Sequence, residues 1–161
     1  MSKSKLTGEQ QGFVAAIAAL LVPSGMQTAA ASLYGYLLLC PEPVSLDIIA
    51  DDLAMAKSSA STAARMLDQY GLARRYGERG SRRVRYGVSE RYSGFIAAQA
   101  ALLGDIGRVI EGRAGQVAED ATLKRLRYLG SFYGKMERTI TQRIQELADE
   151  AVREGLVERP E

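Results

Sequence analysis

The feature that most constrains the fold is the order of elements in the middle third of the chain. Ser45 is a favourable N-cap for a short helix in which Ile49 and Leu53 fall on one apolar face. A turn at residues 54–56 separates this helix from a second helical pattern, and Gly71 is placed to end that pattern in the left-handed conformation. This spacing predicts two short helices joined by a tight turn.

A two-stranded ribbon is predicted directly after the second helix. Its strands cover residues 72–76 and 84–88, and Gly77 and Gly80 permit the tight reversal between them. The tip, residues 78–83, has the sequence Glu-Arg-Gly-Ser-Arg-Arg. A helix-turn-helix that continues into a ribbon with arginines at its tip is typical of a winged helix-turn-helix module. Such modules bind duplex DNA.

Charge is segregated along the chain although the total is small. The 21 lysines and arginines exceed the 19 aspartates and glutamates to give a net charge of +2. Residues 57–85 contain eight of the basic residues and two acidic ones, a local charge of +6, so the remainder carries −4. Seven of those eight are arginine, whose planar guanidinium pairs with phosphates and guanine edges. This segment indicates a polyanionic partner, while the alternative is a solvated arginine-rich hairpin.

The second helix of the pair has the composition of a DNA-recognition helix. Short hydrogen-bonding side chains and one arginine share a single polar face, which would allow the backbone to approach base edges in a major groove. The residues of this face are Ser58, Ser61, Thr62 and Arg65. The residues expected on the opposite, inward face are Ala60, Ala64 and Leu67.

The predicted wing, the ribbon with its arginine-rich tip, complements this helix. Its arginines are expected to contact phosphates or to enter the adjacent minor groove, where a narrow A·T tract concentrates negative potential. The predicted DNA-contacting residues of helix and wing are Lys57, Ser58, Ser59, Ser61, Thr62, Arg65, Arg79, Ser81, Arg82 and Arg83.

Helices are predicted on both sides of the winged module. Residues 1–24 are expected to form a helix, capped by Thr7, that serves as a dimerisation or packing arm, and residues 25–92 form the winged domain. Residues 93–161 contain two amphipathic patterns separated by a polar break at residues 111–113. Their apolar stripes are wider than one neighbour requires, so we expect dimerisation against a second copy, with folding back on the first helix as the alternative. The predicted fold class is mainly α with a small β-wing: a winged helix-turn-helix domain flanked by N- and C-terminal dimerisation helices.

Composition argues against several other classes of protein. The chain has no histidine and one cysteine, Cys40, so an internal disulfide is excluded, and the commonest general base and metal ligand are missing. Gly104, Gly107 and Gly112 lie inside a helical pattern and form no nucleotide fingerprint, and no catalytic or metal constellation is found. We expect neither enzymatic activity nor a cofactor. The apolar run at residues 13–22 is shorter than the about 20 residues of a membrane span, and polar residues precede it, so a cytoplasmic protein without membrane contact is expected.

Several short segments, taken in order, resemble the GbsR branch of the MarR-type winged-helix transcriptional regulators. They lie within roughly residues 25–92 and are Tyr34-Gly35-Tyr36-Leu37-Leu38-Leu39, Pro41-Glu42-Pro43, Ser45-Leu46-Asp47, Ala50, Lys57-Ser58-Ser59-Ala60-Ser61, Arg65, Leu67, Tyr70-Gly71-Leu72, Gly80-Ser81-Arg82-Arg83 and Tyr86. The resemblance implies a homodimeric repressor or activator that binds double-stranded DNA through the recognition helix and the wing. It leaves a small-molecule effector open.

The chain departs from this resemblance at two places. Residues 27–32 lack the Pro-Arg pair and the following arginine that are common in the family, which weakens any transfer of contacts from that helix. Ala56 stands where a serine usually caps the recognition helix. Ser58 or Ser59 is therefore expected to cap the helix instead, which would withdraw one hydroxyl from DNA.

The leading hypothesis is a dimeric, sequence-specific, DNA-binding transcriptional regulator without catalytic activity, with repression as the first expectation. The alternative is a winged-helix scaffold dimer whose arginines meet acidic proteins without sequence-specific DNA binding. An effector pocket could form from aromatic residues, although such residues at helical spacing more often belong to a core. The candidates are Tyr34, Tyr36, Tyr128, Phe132 and Tyr133.

Overall fold

The computed structural model describes residues 6–77, 80, 83–89 and 93–156. The chain divides into two compact units, Met1–Tyr92 and Ser93–Glu161. In chain order the elements are α1 (Gly8–Leu21), α2 (Thr28–Leu37), β1 (Val44–Ser45), α3 (Leu46–Asp52), α4 (Lys57–Gln69), β2 (Ala73–Gly77), β3 (Val84–Val88), α5 (Gly94–Val117) and α6 (Asp120–Arg153). The expected mainly α architecture with a small sheet is confirmed. The functional division of the chain and the dimerising role of its flanks stay predictions.

Two helices open the first unit. Thr7 caps α1 as predicted: its hydroxyl accepts a hydrogen bond from the Gln10 backbone N–H, and its own N–H donates to the Gln10 side chain. α1 packs along α2, and α2 also packs against α4. The first helix is therefore a packing element of this unit. The largest side chains buried at its core are Leu33, Leu37, Ile49 and Leu67.

The helices α3 and α4 form the predicted helix-turn-helix. Ser45 caps α3 by accepting a hydrogen bond from the Ile48 backbone N–H. α4 ends where Gly71 takes a φ of +72°, a conformation that a β-carbon would disfavour. The N–H of Leu72 then donates to the carbonyl of Leu67 at 2.9 Å, which is the Schellman arrangement. The predicted cap of α3 and the predicted stop of α4 are confirmed.

The sheet has three strands where the sequence predicted two. The strand order is β1-β3-β2, with every neighbouring pair antiparallel. β1 joins because Val44 pairs with Tyr86, and two residues are too few for an alternating pattern to predict. β2 begins at Ala73, one residue later than expected, while β3 covers the predicted residues.

The second unit is an antiparallel hairpin of two long helices. α5 runs to Val117, so the polar break predicted at residues 111–113 is wrong. The weak helix propensity of glycine does not end the helix at Gly112, and Ala114, two residues later, is buried. The chain reverses instead at Ala118 and Glu119.

The two helices of the hairpin meet through small residues, and we call this contact the glycine seam. A β-carbon on Gly107 would lie 3.0 Å from the Gly130 carbonyl oxygen and 3.2 Å from the Gly134 nitrogen. The buried residues of the seam are Ala100, Gly104, Gly107, Ala114 and Gly130. The large apolar side chains of the predicted stripes do not form its centre, since Leu102 is 53% and Val109 62% exposed. The glycines that the sequence pattern left without a role are therefore the main packing contact.

Candidate nucleic-acid interface

The predicted recognition helix, α4, separates a buried small-residue face from an exposed polar face. Its buried residues are Ala60, Ala63, Ala64 and Leu67. On the other side, Ser58, Thr62 and Arg65 are exposed and Ser61 is half-buried. The Nε–H of Arg65 donates to the Ser61 carbonyl at 3.4 Å, which anchors the base of the guanidinium to its own helix. The structure thus brings the predicted polar residues of α4 onto one accessible surface.

The N-terminus of α4 corrects the predicted cap. The N-cap residue is Ala56, with an extended backbone and no side-chain hydrogen bond. Ser58 and Ser59 lie inside the first turn, and both are exposed. The prediction that one of them caps the helix is wrong because the helix begins at Lys57, before either serine. Neither residue is withdrawn into a cap.

Lys57, the first residue of α4, forms an ion pair with Asp47 in the first turn of α3. The distance from Lys57 Nζ to Asp47 Oδ1 is 2.6 Å, and the two side chains are 64% and 71% exposed. The pair joins the N-terminal ends of the two helices on the accessible side. Sequence reasoning selected Lys57 but did not find its acidic partner, because the contact depends on how the turn folds.

The outward face of the sheet carries arginines that the predicted set of DNA-contacting residues omitted. Tyr76 pairs with Arg85 across the strands, and Arg74 lies two residues before Tyr76, so all three share one face. The Arg74 guanidinium stacks over the Tyr76 ring at 5.5 Å from its centroid. On the opposite face Ala73 and Tyr86 are buried. Strand alternation could have identified Arg74 and Arg85 as outward residues.

The wing tip is only partly described by the structure. Arg83 is exposed at the start of β3, and Gly80 has a φ of +79°. Arg79, Ser81 and Arg82, which the sequence analysis selected, lie outside the described residues.

A buried tyrosine joins α2 to the helix-turn-helix. The Tyr36 hydroxyl donates to Asp52 Oδ2 at the end of α3, at a distance of 2.7 Å. Burial, together with this hydrogen bond, raises the pKa of Tyr36 above its usual range. Burial also raises the pKa of Cys40, whose thiol donates to the Tyr36 carbonyl. Tyr36 therefore belongs to the core of the first unit, and Cys40 is half-buried beside it.

Other kinds of site have little support in the parts of the chain that the structure describes. Those parts contain no group of three or more His, Cys, Asp or Glu side chains that could hold a metal ion. None of the described helices is long and apolar enough to cross a membrane. Tyr128 and Phe132 stack with ring centroids 6.3 Å apart on α6. The aromatic candidates for an effector pocket are thus divided between α2 of the first unit and α6 of the second.

Comparisons with known proteins support the fold. The chain has no significant match among protein-family models or among curated proteins. It is similar to the crystal structure of a transcriptional regulator, with a TM-score of 0.77 and 23% sequence identity over 88% of this chain and 99% of that chain. At this identity the likeness shows that the two chains share the same fold.

Proposed function

We propose that this protein is a homodimeric, sequence-specific DNA-binding regulator of transcription, of the GbsR type within the MarR-like winged-helix proteins. The observation that carries the proposal is the division of α4, whose alanine face is buried while Ser58, Thr62 and Arg65 are accessible. A helix with short polar side chains outward can approach base edges closely, and an arginine fork pairs with guanine O6 and N7. The similarity of fold to a transcriptional regulator supports the same function.

The second element of the proposed interface is the basic sheet and wing. Arg74, Arg83 and Arg85 are exposed on β2 and at β3, which directly follow α4 in the first unit. Sequence-independent affinity for DNA comes mainly from cations that displace counterions from phosphates. In the proposal these arginines and the wing-tip residues Arg79, Ser81 and Arg82 contact the backbone or minor groove, while α4 occupies the major groove.

The dimer in this proposal is supported by the apolar surface of the helical hairpin. Gly104 faces Glu137 while Glu111 faces Gly130, so the two helices run in opposite directions. Each residue advances by about 100° around a helix. Measured from the glycine seam, most of the large exposed apolar residues of α5 and α6 rotate to the same side of the hairpin. They are Leu102, Ile106, Val109 and Val117 on α5 and Phe132, Met136 and Leu147 on α6, while Ile96 and Tyr128 are exposed elsewhere.

A second copy is the simplest cover for this side of the hairpin, because a two-fold axis would place identical apolar faces against each other. Several large apolar residues exposed on one side favour an interface over a solvated face. Two copies would present two α4 helices to one duplex. Repression is the simplest action for such a dimer, since binding to an operator is by itself sufficient to repress.

The proposal is tested by selecting binding sites from a random duplex library with the natural chain. We expect an imperfect palindrome whose half-sites are separated by roughly 10 base pairs or a multiple, because a symmetric dimer places one recognition helix in each half-site. A single asymmetric motif would contradict symmetric docking. Binding that ignores base sequence would refute the regulator and support the scaffold alternative.

A further inference from the structure

The ion pair between Lys57 and Asp47 lies within the proposed DNA-binding surface. Lys57 begins α4, and its Nζ is 2.6 Å from Asp47 Oδ1. Both side chains are more than half exposed, so a DNA phosphate could reach the same ammonium group. An ammonium that binds a phosphate must share or leave its carboxylate partner. Asp47 and DNA therefore compete for one cation.

The electrostatics of α4 explain why a carboxylate beside Lys57 is favourable. A lysine at the first position of a helix puts its positive charge at the positive end of the helix dipole, which is unfavourable in the free protein. Ala56 supplies no capping oxygen that would offset this charge. The Asp47 carboxylate compensates for it. In the DNA complex, the phosphate would take over that role.

From this geometry we propose that Asp47 is an internal competitor of DNA phosphate at Lys57, which keeps the affinity for nonspecific duplex low. The inference rests on the proposed function and adds a regulatory contact to the same surface. Asp47 carries a charge of the same sign as a phosphate and occupies the cation in the free state. Removing the carboxylate should therefore release one cation for DNA.

A matched set of variants isolates this effect. Asp47→Asn removes the competing charge and keeps the shape of the side chain, while Lys57→Met removes the cation. Asp51→Asn is the control, since it makes the same change of charge on an exposed residue of α3. An exposed ion pair contributes little to folding, so the variants should fold, as circular dichroism will check. Asp47→Ser is the second variant if asparagine perturbs α3.

The measurement is the affinity for one nonspecific duplex at several salt concentrations. Competition from one exposed carboxylate corresponds to roughly a two- to fivefold effect, so Asp47→Asn should tighten binding by that factor. The dependence of log affinity on log salt should change by clearly less than the value of about 0.9 for one phosphate contact, because Lys57 contacts the phosphate in both complexes. Lys57→Met should cost more affinity in the Asp47→Asn background than in the natural chain. Asp51→Asn should leave the slope unchanged.

Each outcome decides the proposal. An Asp47→Asn variant that binds no more tightly than Asp51→Asn overturns it, as does a gain that persists when Lys57→Met is added. In both cases the natural chain still binds DNA, so the proposed function survives. Failure of the natural chain and all variants to bind any duplex at low salt overturns the function and this inference together.

Discussion

The two units of this molecule differ in whether large apolar side chains are buried at their centres. In the first unit, large residues such as Leu33, Ile49 and Leu67 are fully buried, and the exposed side of α4 is polar. In the second, glycines and alanines are buried, and large residues such as Leu102 and Val109 remain exposed. Both units also expose some large apolar residues, among them Leu20 in the first, so the contrast concerns the side chains that fill each packed centre. In the proposed function, the polar side of α4 meets duplex DNA and the exposed apolar residues of the hairpin meet a second copy.

The largest expected effect concerns the exposed apolar side of the hairpin. Leu102→Glu combined with Val109→Glu should convert the proposed dimer to a folded monomer, because four charges would be buried in the proposed interface while the glycine seam is untouched. Sedimentation equilibrium gives the mass, and circular dichroism gives the helix content. Ala97→Glu with Ala101→Glu is the control, since both alanines are exposed on the other side of α5. If the variant with both substitutions is still a dimer, the interface lies elsewhere.

The glycine seam can be tested with a pair of glycines on one helix. Gly107→Ala should destabilise the second unit by about 1–3 kcal/mol, because its β-carbon meets the backbone of α6. Gly112→Ala has open space around the new methyl group and should stabilise the helix by about 0.5–1 kcal/mol. Urea unfolding of both variants measures the difference. Equal effects of the two substitutions would contradict close packing at Gly107.

A smaller effect is expected at the wing. Arg82→Ala or Arg83→Ala should weaken binding to all duplexes by a similar factor and flatten the salt dependence by about 0.9 for each lost phosphate contact. Lys124→Ala, on an exposed residue of α6, should leave the slope unchanged. Filter binding at several salt concentrations measures all three. A change in base preference caused by the wing variants would show that the wing carries sequence recognition.

The first unit was largely predictable because its signals are local. Thr7, Ser45 and Gly71 act on backbone groups within a few residues, so the sequence pattern alone locates the caps and the helix end. The division of α4 into a buried and an exposed face follows from the helical period in the same way. The strand β1 was not predicted, because its formation depends on pairing with β3 rather than on its own two residues.

The second unit shows where such reasoning fails. Hydrophobicity patterns assign large side chains to the core, whereas this hairpin brings its backbones together at Gly107 and Gly130. The same error placed a break near Gly112, which the helix accommodates. The Asp47–Lys57 pair was missed for a related reason, since a contact across a turn is a property of the folded geometry and not of residue spacing.

The most direct test of the central claim compares Arg65→Ala with Arg74→Ala in competition titrations between the selected site and nonspecific duplex. Both substitutions remove one exposed arginine from the first unit, so their change of charge is identical. We predict that Arg65→Ala costs about 1–3 kcal/mol on the selected site, relaxes the preference at one base position and affects nonspecific binding less. Arg74→Ala should weaken both duplexes by a similar, smaller factor. If Arg65→Ala leaves affinity and base preference intact, α4 does not recognise sequence and the account of this surface is wrong.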